Sequence, residues 1–343
     1  MSKSSSSLPF STEVVRSFRP SKSFHYHKSH TEITSLDFDD TGLFALTSGE
    51  DESIQLYDCK TGKHNKTIFS KKYGVHLARF THNSMNCVYA STKEDDTIRY
   101  LSLHDNHYIR YFRGHKDRVC SLEVSPLDDL FLSAAMDHSV RLWDLRSSSC
   151  QGLLNIPAPA LVAFDSTATV FAVASPQLQS ISLYSIKSYE TRPFLTFQVD
   201  ATRQLSWCKL EFSNNGKFIL LATSGDHFLF DAYNGTKLAT LGGGSALTNR
   251  TRPSHSPACF SVDGRFVFGT SNDKICIWDT NSMHGAGISG VLNPTHQLDN
   301  SQEPAALVAF SPKTMLLATA NTGLTLWLPE RGDEEKEDRE RDK

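Results

Sequence analysis

The chain has 343 residues, 39% hydrophobic and 10% aromatic, with 38 acidic and 35 basic side chains and a net charge of −3. That length supplies two average domains or one large all-β domain with a real core, and no apolar run is long enough to span a bilayer. The even balance of charge argues against duplex-DNA binding driven by a global positive field.

Residues 1–12, which begin "MSKSSSSLPF", carry no apolar h-region, so a secretory leader is not expected and a flexible segment is. Without a leader, the N-x-S/T triplets at Asn65, Asn234 and Asn249 read as chance. The seven cysteines (Cys59, Cys87, Cys120, Cys150, Cys208, Cys259 and Cys276) include no C-x-x-C pair. They fit small buried hydrophobes in a reducing compartment better than a disulfide framework or a thiolate zinc site.

A repeat begins at His30 with "HTEITSLDFDDTGLFALTSGEDESIQLYD". Its pattern is a histidine, alternating apolar residues, a polar turn, an apolar strand, an Asp-containing turn and a strand ending in aromatic-Asp. It returns most clearly from Gly114 as "GHKDRVCSLEVSPLDDLFLSAAMDHSVRLWD", then from Ser206, Ser256 and Ala305, with weaker copies from Val75 and Ala160. The first-strand anchors Phe38, Phe80, Val124, Phe164, Phe212, Phe260 and Phe310 lie 40 to 50 residues apart. Seven copies of period-2 strands broken by Gly, Asp, Asn and Pro turns predict a seven-bladed all-β propeller. The last copy stops one strand short after Leu326-Trp327, and "EVVRSFRPSKSF" (13–24) offers the missing strand. The propeller is therefore expected over 13–329, closed by an N-terminal strand. The tail 330–343 holds seven acids and four bases within "DEEKEDRERDK" and is expected to be disordered.

Gly114-His115, Asp137 and Trp143-Asp144 resemble a complete WD40 signature, in which His, Asp, a strand Ser/Thr and Trp form a buried hydrogen-bonded chain. His115, Ser133, Asp137 and Trp143 are the structural network that this resemblance implies. "FSKKYGVHLARFTH" (69–82), "DDTIRYLSLHDNHYIRYFRGH" (95–115), "RLWDLRSSSCQGL" (141–153) and "LWLPE" (326–330) extend the likeness. The chain resembles the WD-repeat subunit family shared by COMPASS-type histone H3 methyltransferases and the nuclear mRNA cleavage/polyadenylation–phosphatase machinery. The resemblance implies a nuclear, non-catalytic scaffold that binds partner peptides and couples these complexes to transcribing RNA polymerase II through its phosphorylated C-terminal repeats. Association with chromatin is then indirect, with no cofactor and no membrane. The chain departs from the family at "NIPAPA" (155–160) and in the long loops 242–255 and 281–304, so the resemblance implies no partner contacts there.

Propeller topology places the loop leading into each blade and the loop between its second and third strands on one rim. There "GEDES" (49–53) and "KEDDT" (93–97) face Lys71, Lys72, Arg113, Lys116 and Arg118, with Tyr73 beside the lysines. With Tyr108 and Arg110 on the outer strand, these form the candidate partner-binding surface, suited to charge-assisted bonds with phosphate. The same residues also read as a solvated mixed-charge rim, or as an RNA-binding face that stacks bases on Arg and Tyr. His104-x-x-His107 lacks a third ligand and reads as a hairpin turn, not a metal site. "GGGS" (242–245) lacks the Lys-Ser/Thr of a phosphate loop, and no G-x-S-x-G or H-E-x-x-H occurs, so no enzyme is expected. The four tryptophans are expected in the core.

Overall fold

The computed structural model describes residues 10–189, 192–200, 205–242, 257–271, 274–285, 290–300 and 305–330. Seven sheets, antiparallel except for one added parallel pair in blade 5, form a ring, a seven-bladed β-propeller. In blade 3 the strands are Val119–Val124, Leu130–Ala135, Ser139–Asp144 and Cys150–Asn155, innermost to outermost. The second strand is buried along almost its whole length because neighbouring sheets cover both its faces. The outermost strand alternates between partly buried and exposed residues, the period-2 pattern of a strand with one covered face.

Blade 7 combines Leu307–Phe310, Leu317–Ala320 and Leu324–Pro329 with Phe18–Phe24, which runs antiparallel to the last of these from Phe18 opposite Pro329 to Phe24 opposite Leu324. The ring therefore closes with the N-terminal strand. That strand is shorter than the expected 13–24: residues Thr12–Arg16 form a one-turn helix whose N-cap Ser11 accepts from the Val14 amide. Val15 on this turn is buried in the same core cluster as Phe18 and Trp327. The interval 281–304 is likewise not one long loop. It holds the end of a 3₁₀ turn, Thr280–Gly285, and Val291–Leu292, which pairs in parallel with the outer strand Lys237–Leu241 of blade 5. His296–Asp299 then forms the outer strand of blade 6. Most of 242–255 and the tail 331–343 lie outside the described residues, as do residues 1–9.

The innermost strands line the central channel. The residue preceding each anchor occupies one tier: Asp37, Arg79, Glu123, Ala163, Glu211, Cys259 and Ala309, in blades 1 to 7, sit at equivalent register positions.

Candidate partner-binding rim

Blade 3 holds a continuous polar chain across its buried interior. The Trp143 indole N–H donates to Ser133 Oγ at 2.8 Å, and Ser133 Oγ lies 2.7 Å from His115 Nε2. His115 Nδ1 lies 3.1 Å from Asp137, which also accepts from the Lys116 amide at 3.0 Å and the Ser139 hydroxyl at 2.6 Å. The ionised Asp137 only accepts, so His115 carries its hydrogen on Nδ1, and in the neutral ring Nε2 accepts from the Ser133 hydroxyl, whose oxygen accepts from the indole. Burial disfavours the charged ring and outweighs the attraction of Asp137, so the pKa of His115 falls below its ordinary value. Burial works against Asp137 too, but the bonds from Ser139, the Lys116 amide and His115 outweigh it and hold that carboxyl low. The network fixes the loop that carries Lys116 onto the rim.

Blade 1 repeats the arrangement. His27 Nε2 is 2.8 Å from Thr47 Oγ1, His27 Nδ1 is 3.0 Å from Asp51, and Tyr57 occupies the position of Trp143. The histidine of this blade is His27, not His30, which is exposed at a φ of 64°. The legible signal was Thr47, Asp51 and Ser53, spaced as Ser133, Asp137 and Ser139 are; the loop is two residues longer, and that hid the histidine. In blade 7 the Trp327 indole donates to Thr319 at 2.9 Å. Trp143, Trp207, Trp278 and Trp327 are all buried.

Blade 2 departs from this pattern and builds the rim. Its strands are His76–Phe80, Asn86–Ala90, Ile98–Ser102 and His107–Phe112. Tyr89 stands at the register position of Ser133 and Arg99 at that of Arg141. Arg99 is buried, with a side chain 2% exposed, and its two terminal nitrogens hold both Asp95 oxygens at 2.9 and 3.1 Å. Its guanidinium lies 3.6 Å from the ring centroid of Tyr73 and 5.8 Å from that of Tyr111. Burial opposes ionisation of Asp95, but the bonds from Arg99 and Thr97 prevail and keep its carboxyl below the ordinary range. The Tyr73 carbonyl accepts the amides of Thr92 and Lys93 at 2.9 Å each, which ties the loop leading into blade 2 to the loop between its middle strands. Gly74, at a φ of 67°, completes that turn where a Cβ would collide with the Thr92 hydroxyl.

The acids and bases of the rim do not face each other as a balanced ring. Asp51 is consumed by His27, Asp95 by Arg99, and Glu52 by Lys93. Lys71, Lys72, Arg113, Lys116 and Arg118 are exposed, and among the described residues none of them forms an ion pair. Three stand over aromatic rings: Lys71 over Phe69 at 5.3 Å, Lys72 over Tyr73 at 5.1 Å and Arg113 over Tyr111 at 5.5 Å. Tyr108 packs edge-on to Tyr73 at 5.8 Å, and its hydroxyl lies 3.1 Å from that of Tyr89. Arg110 does not join them. It reaches across to donate to the Arg146 carbonyl at 2.6 Å, in the turn between the outer strands of blade 3, on the opposite rim. His104 and His107 lie exposed at the turn Leu103–Asn106 and the strand start that follows it.

The fold and these networks define a WD40-repeat propeller. The WD40 family profile (WD domain, G-beta repeat) matches residues 18–58 and 106–144, the stretches that hold the His27–Thr47 bond and the His115–Ser133–Trp143 chain. The chain belongs to the Swd2/WDR82 family of WD-repeat proteins. It is 39% identical to Set1 complex component swd2 of Schizosaccharomyces pombe, over 92% of this chain and 98% of that protein. It is 42% identical to WD repeat-containing protein 82 of Drosophila melanogaster, over 92% and 96% of the two chains. It is 40% identical to COMPASS component SWD2 of Saccharomyces cerevisiae, over 90% and 92%.

Proposed function

We propose that this protein is a non-catalytic adaptor subunit of a nuclear histone methyltransferase complex of the Set1/COMPASS type. Relatives that match almost end to end are named as components of the Set1 complex and of COMPASS. We propose further that the rim around blade 2 binds acidic, phosphorylated peptide, the phosphorylated repeats of RNA polymerase II being the expected ligand, and that the same subunit serves the cleavage/polyadenylation–phosphatase machinery. The observation that carries the rim reading is the exposure of five basic side chains that have no carboxylate partner among the described residues, held on loops that Arg99, Tyr73 and Asp137 fix in place. Fixed cations lose little conformational entropy on gripping phosphate, and charge-assisted bonds are the strong ones. RNA stacking fits less well, because Tyr73, Tyr108 and Tyr111 already spend their faces on Arg99, on the neighbouring cations and on each other.

Fluorescence anisotropy with phosphorylated and unphosphorylated polymerase-repeat peptides tests the reading. Arg113→Glu combined with Lys116→Glu is expected to weaken the phosphorylated peptide at least tenfold and leave thermal stability unchanged. Equal binding by the double variant removes the rim as the site. Affinity purification of the tagged chain that recovers no methyltransferase subunit removes the adaptor role.

A further inference from the structure

The channel mouth lies on the opposite rim. A cavity of about 270 Å³ opens there. Its floor is the channel tier described above, where Asp37, Arg79, Glu123 and Glu211 converge from blades 1, 2, 3 and 5, with Lys209 beside them. Nearer solvent, Asp40 and Asp165 line the same cavity. Asp40 is taken by His82 at 2.7 Å, which leaves Asp37, Glu123, Glu211 and Asp165 facing two cations, Arg79 and Lys209.

Two of the deep carboxylates are firmly held. Asp37 accepts the Phe80 amide at 2.8 Å, and Glu211 binds Lys209 at 2.7 Å and accepts the Phe260 amide at 3.3 Å. Glu123 is different: its nearest cation is Arg79 at 3.7 Å, too long for a hydrogen bond, and its side chain is 37% exposed to the cavity. Burial inside the channel raises its pKa to about 7, above an ordinary 4.5, and the neighbouring Asp37 and Glu211 add to the rise while Arg79 and Lys209 oppose it. In its ionised form the tier lacks one positive charge. The wall around it is mixed: Phe38 and Phe310 are partly exposed beside Pro126 and Pro312, Phe164 and Phe212 are buried, and Ser166 and Asn214 are polar. Carboxylate at depth beside the partly exposed rings of Phe38 and Phe310 is the chemistry that takes an alkyl stem tipped with a cation.

We infer that this mouth receives a single arginine or lysine side chain from a partner protein, whose charged head pairs with Glu123. This surface is separate from the phosphate-seeking rim and of opposite sign, so one propeller can hold an acidic peptide on one face and a basic anchor on the other. The inference does not depend on the rim reading.

Ala163 and Ala309, both in the charged tier, supply built-in reporters for methyl NMR of the full chain. The probes are capped Gly-Arg-Gly and Gly-Lys-Gly peptides, with Gly-citrulline-Gly as the neutral isostere. The cationic peptides are expected to shift both alanine methyls in a saturable way, and the tighter of the two identifies the preferred residue. Glu123→Gln should weaken the effect at least tenfold. Ala309→Leu, which fills the cavity without touching a charge, should do the same and guards against a folding defect in the first variant. Absence of shifts at both methyls up to about 10 mM peptide, weaker than the millimolar limit of useful recognition, would overturn the proposal. So would equal shifts from the citrulline peptide, or inorganic phosphate displacing the response through Arg79 and Lys209.

Discussion

The guanidinium of Arg99 lies 3.6 Å from the ring centroid of Tyr73 while it grips Asp95 with two nitrogens. One buried cation therefore joins the loop leading into blade 2 to the loop between its middle strands. Lysine cannot reproduce a planar, bidentate, stacked contact. Arg99→Lys is expected to cost about 2 kcal/mol, below the 3–5 kcal/mol of a fully buried pair because Asp95 is 42% exposed and water screens it. Urea denaturation measures that cost. Hydrogen exchange at Lys72 and Tyr73 should rise in the same variant, and unchanged exchange there would mean that Arg99 does not order the loop.

Trp143 separates packing from hydrogen bonding. Trp143→Phe removes the indole N–H to Ser133 and should cost about 1–2 kcal/mol, the range for a buried acceptor that loses its donor. Trp143→Ala also empties a fully buried site between Phe112 and Phe131 and should cost about 3–5 kcal/mol. Equal losses in the two variants, read from denaturant midpoints, would show that volume plays no part.

The propeller was legible because each blade must repeat one register, so the anchors recur and the seventh copy visibly lacks a strand. Glu13 to Ser17 read as part of that strand because Val14 and Val15 are β-branched. Docking of Val15 into the blade 6–7 core and the Ser11 cap made a helical turn there instead. On the rim, sequence marked the charged residues but not their pairing. Asp51 and Asp95 lie in loops of like composition, yet one serves an imidazole and the other a guanidinium, which depends on side chains reaching in from His27 and Arg99. Arg110 sits three residues from Arg113 and yet its side chain goes to the opposite rim, a choice made by the Arg146 carbonyl. The charged channel tier was also present in the aligned sequence, one residue before each anchor. Seven single letters in seven repeats become a site only once the ring brings them together.

The closing strand should be indispensable. Phe18 is fully buried against Phe268, Phe310 and Trp327, and the strand Phe18–Phe24 covers the edge of Leu324–Pro329. A chain starting at Tyr26 loses that strand and leaves an open edge, so it should aggregate or melt far below the full chain. Phe18→Ala alone should cost about 3–5 kcal/mol. If calorimetry shows the shortened chain melting like the full one, closure does not rest on this strand.

His227 predicts a pH dependence. It is buried in blade 5, its Nδ1 accepts the Thr223 amide at 3.2 Å, and its ring packs against Trp278 at 5.8 Å. Burial alone pushes its pKa down to about 4, from an ordinary 6.5. Between those values the unfolded chain binds a proton that the folded chain refuses, so stability falls as pH falls. Above pH 6.5 both states are neutral and the contribution is complete. One pKa unit is about 1.4 kcal/mol, so this site should lose about 2 kcal/mol between pH 6.5 and 5. Glu123 acts in the opposite direction: its raised pKa means that the folded chain keeps an extra proton between 4.5 and about 7, and its contribution is lost as pH rises through that window. The raw pH profile therefore mixes the two, and the test is a difference. His227→Asn keeps an acceptor for Thr223 but cannot titrate. The stability gap between the parent and this variant should shift by about 2 kcal/mol in the variant's favour from pH 6.5 to 5, and a gap that stays constant would show that His227 is not held neutral.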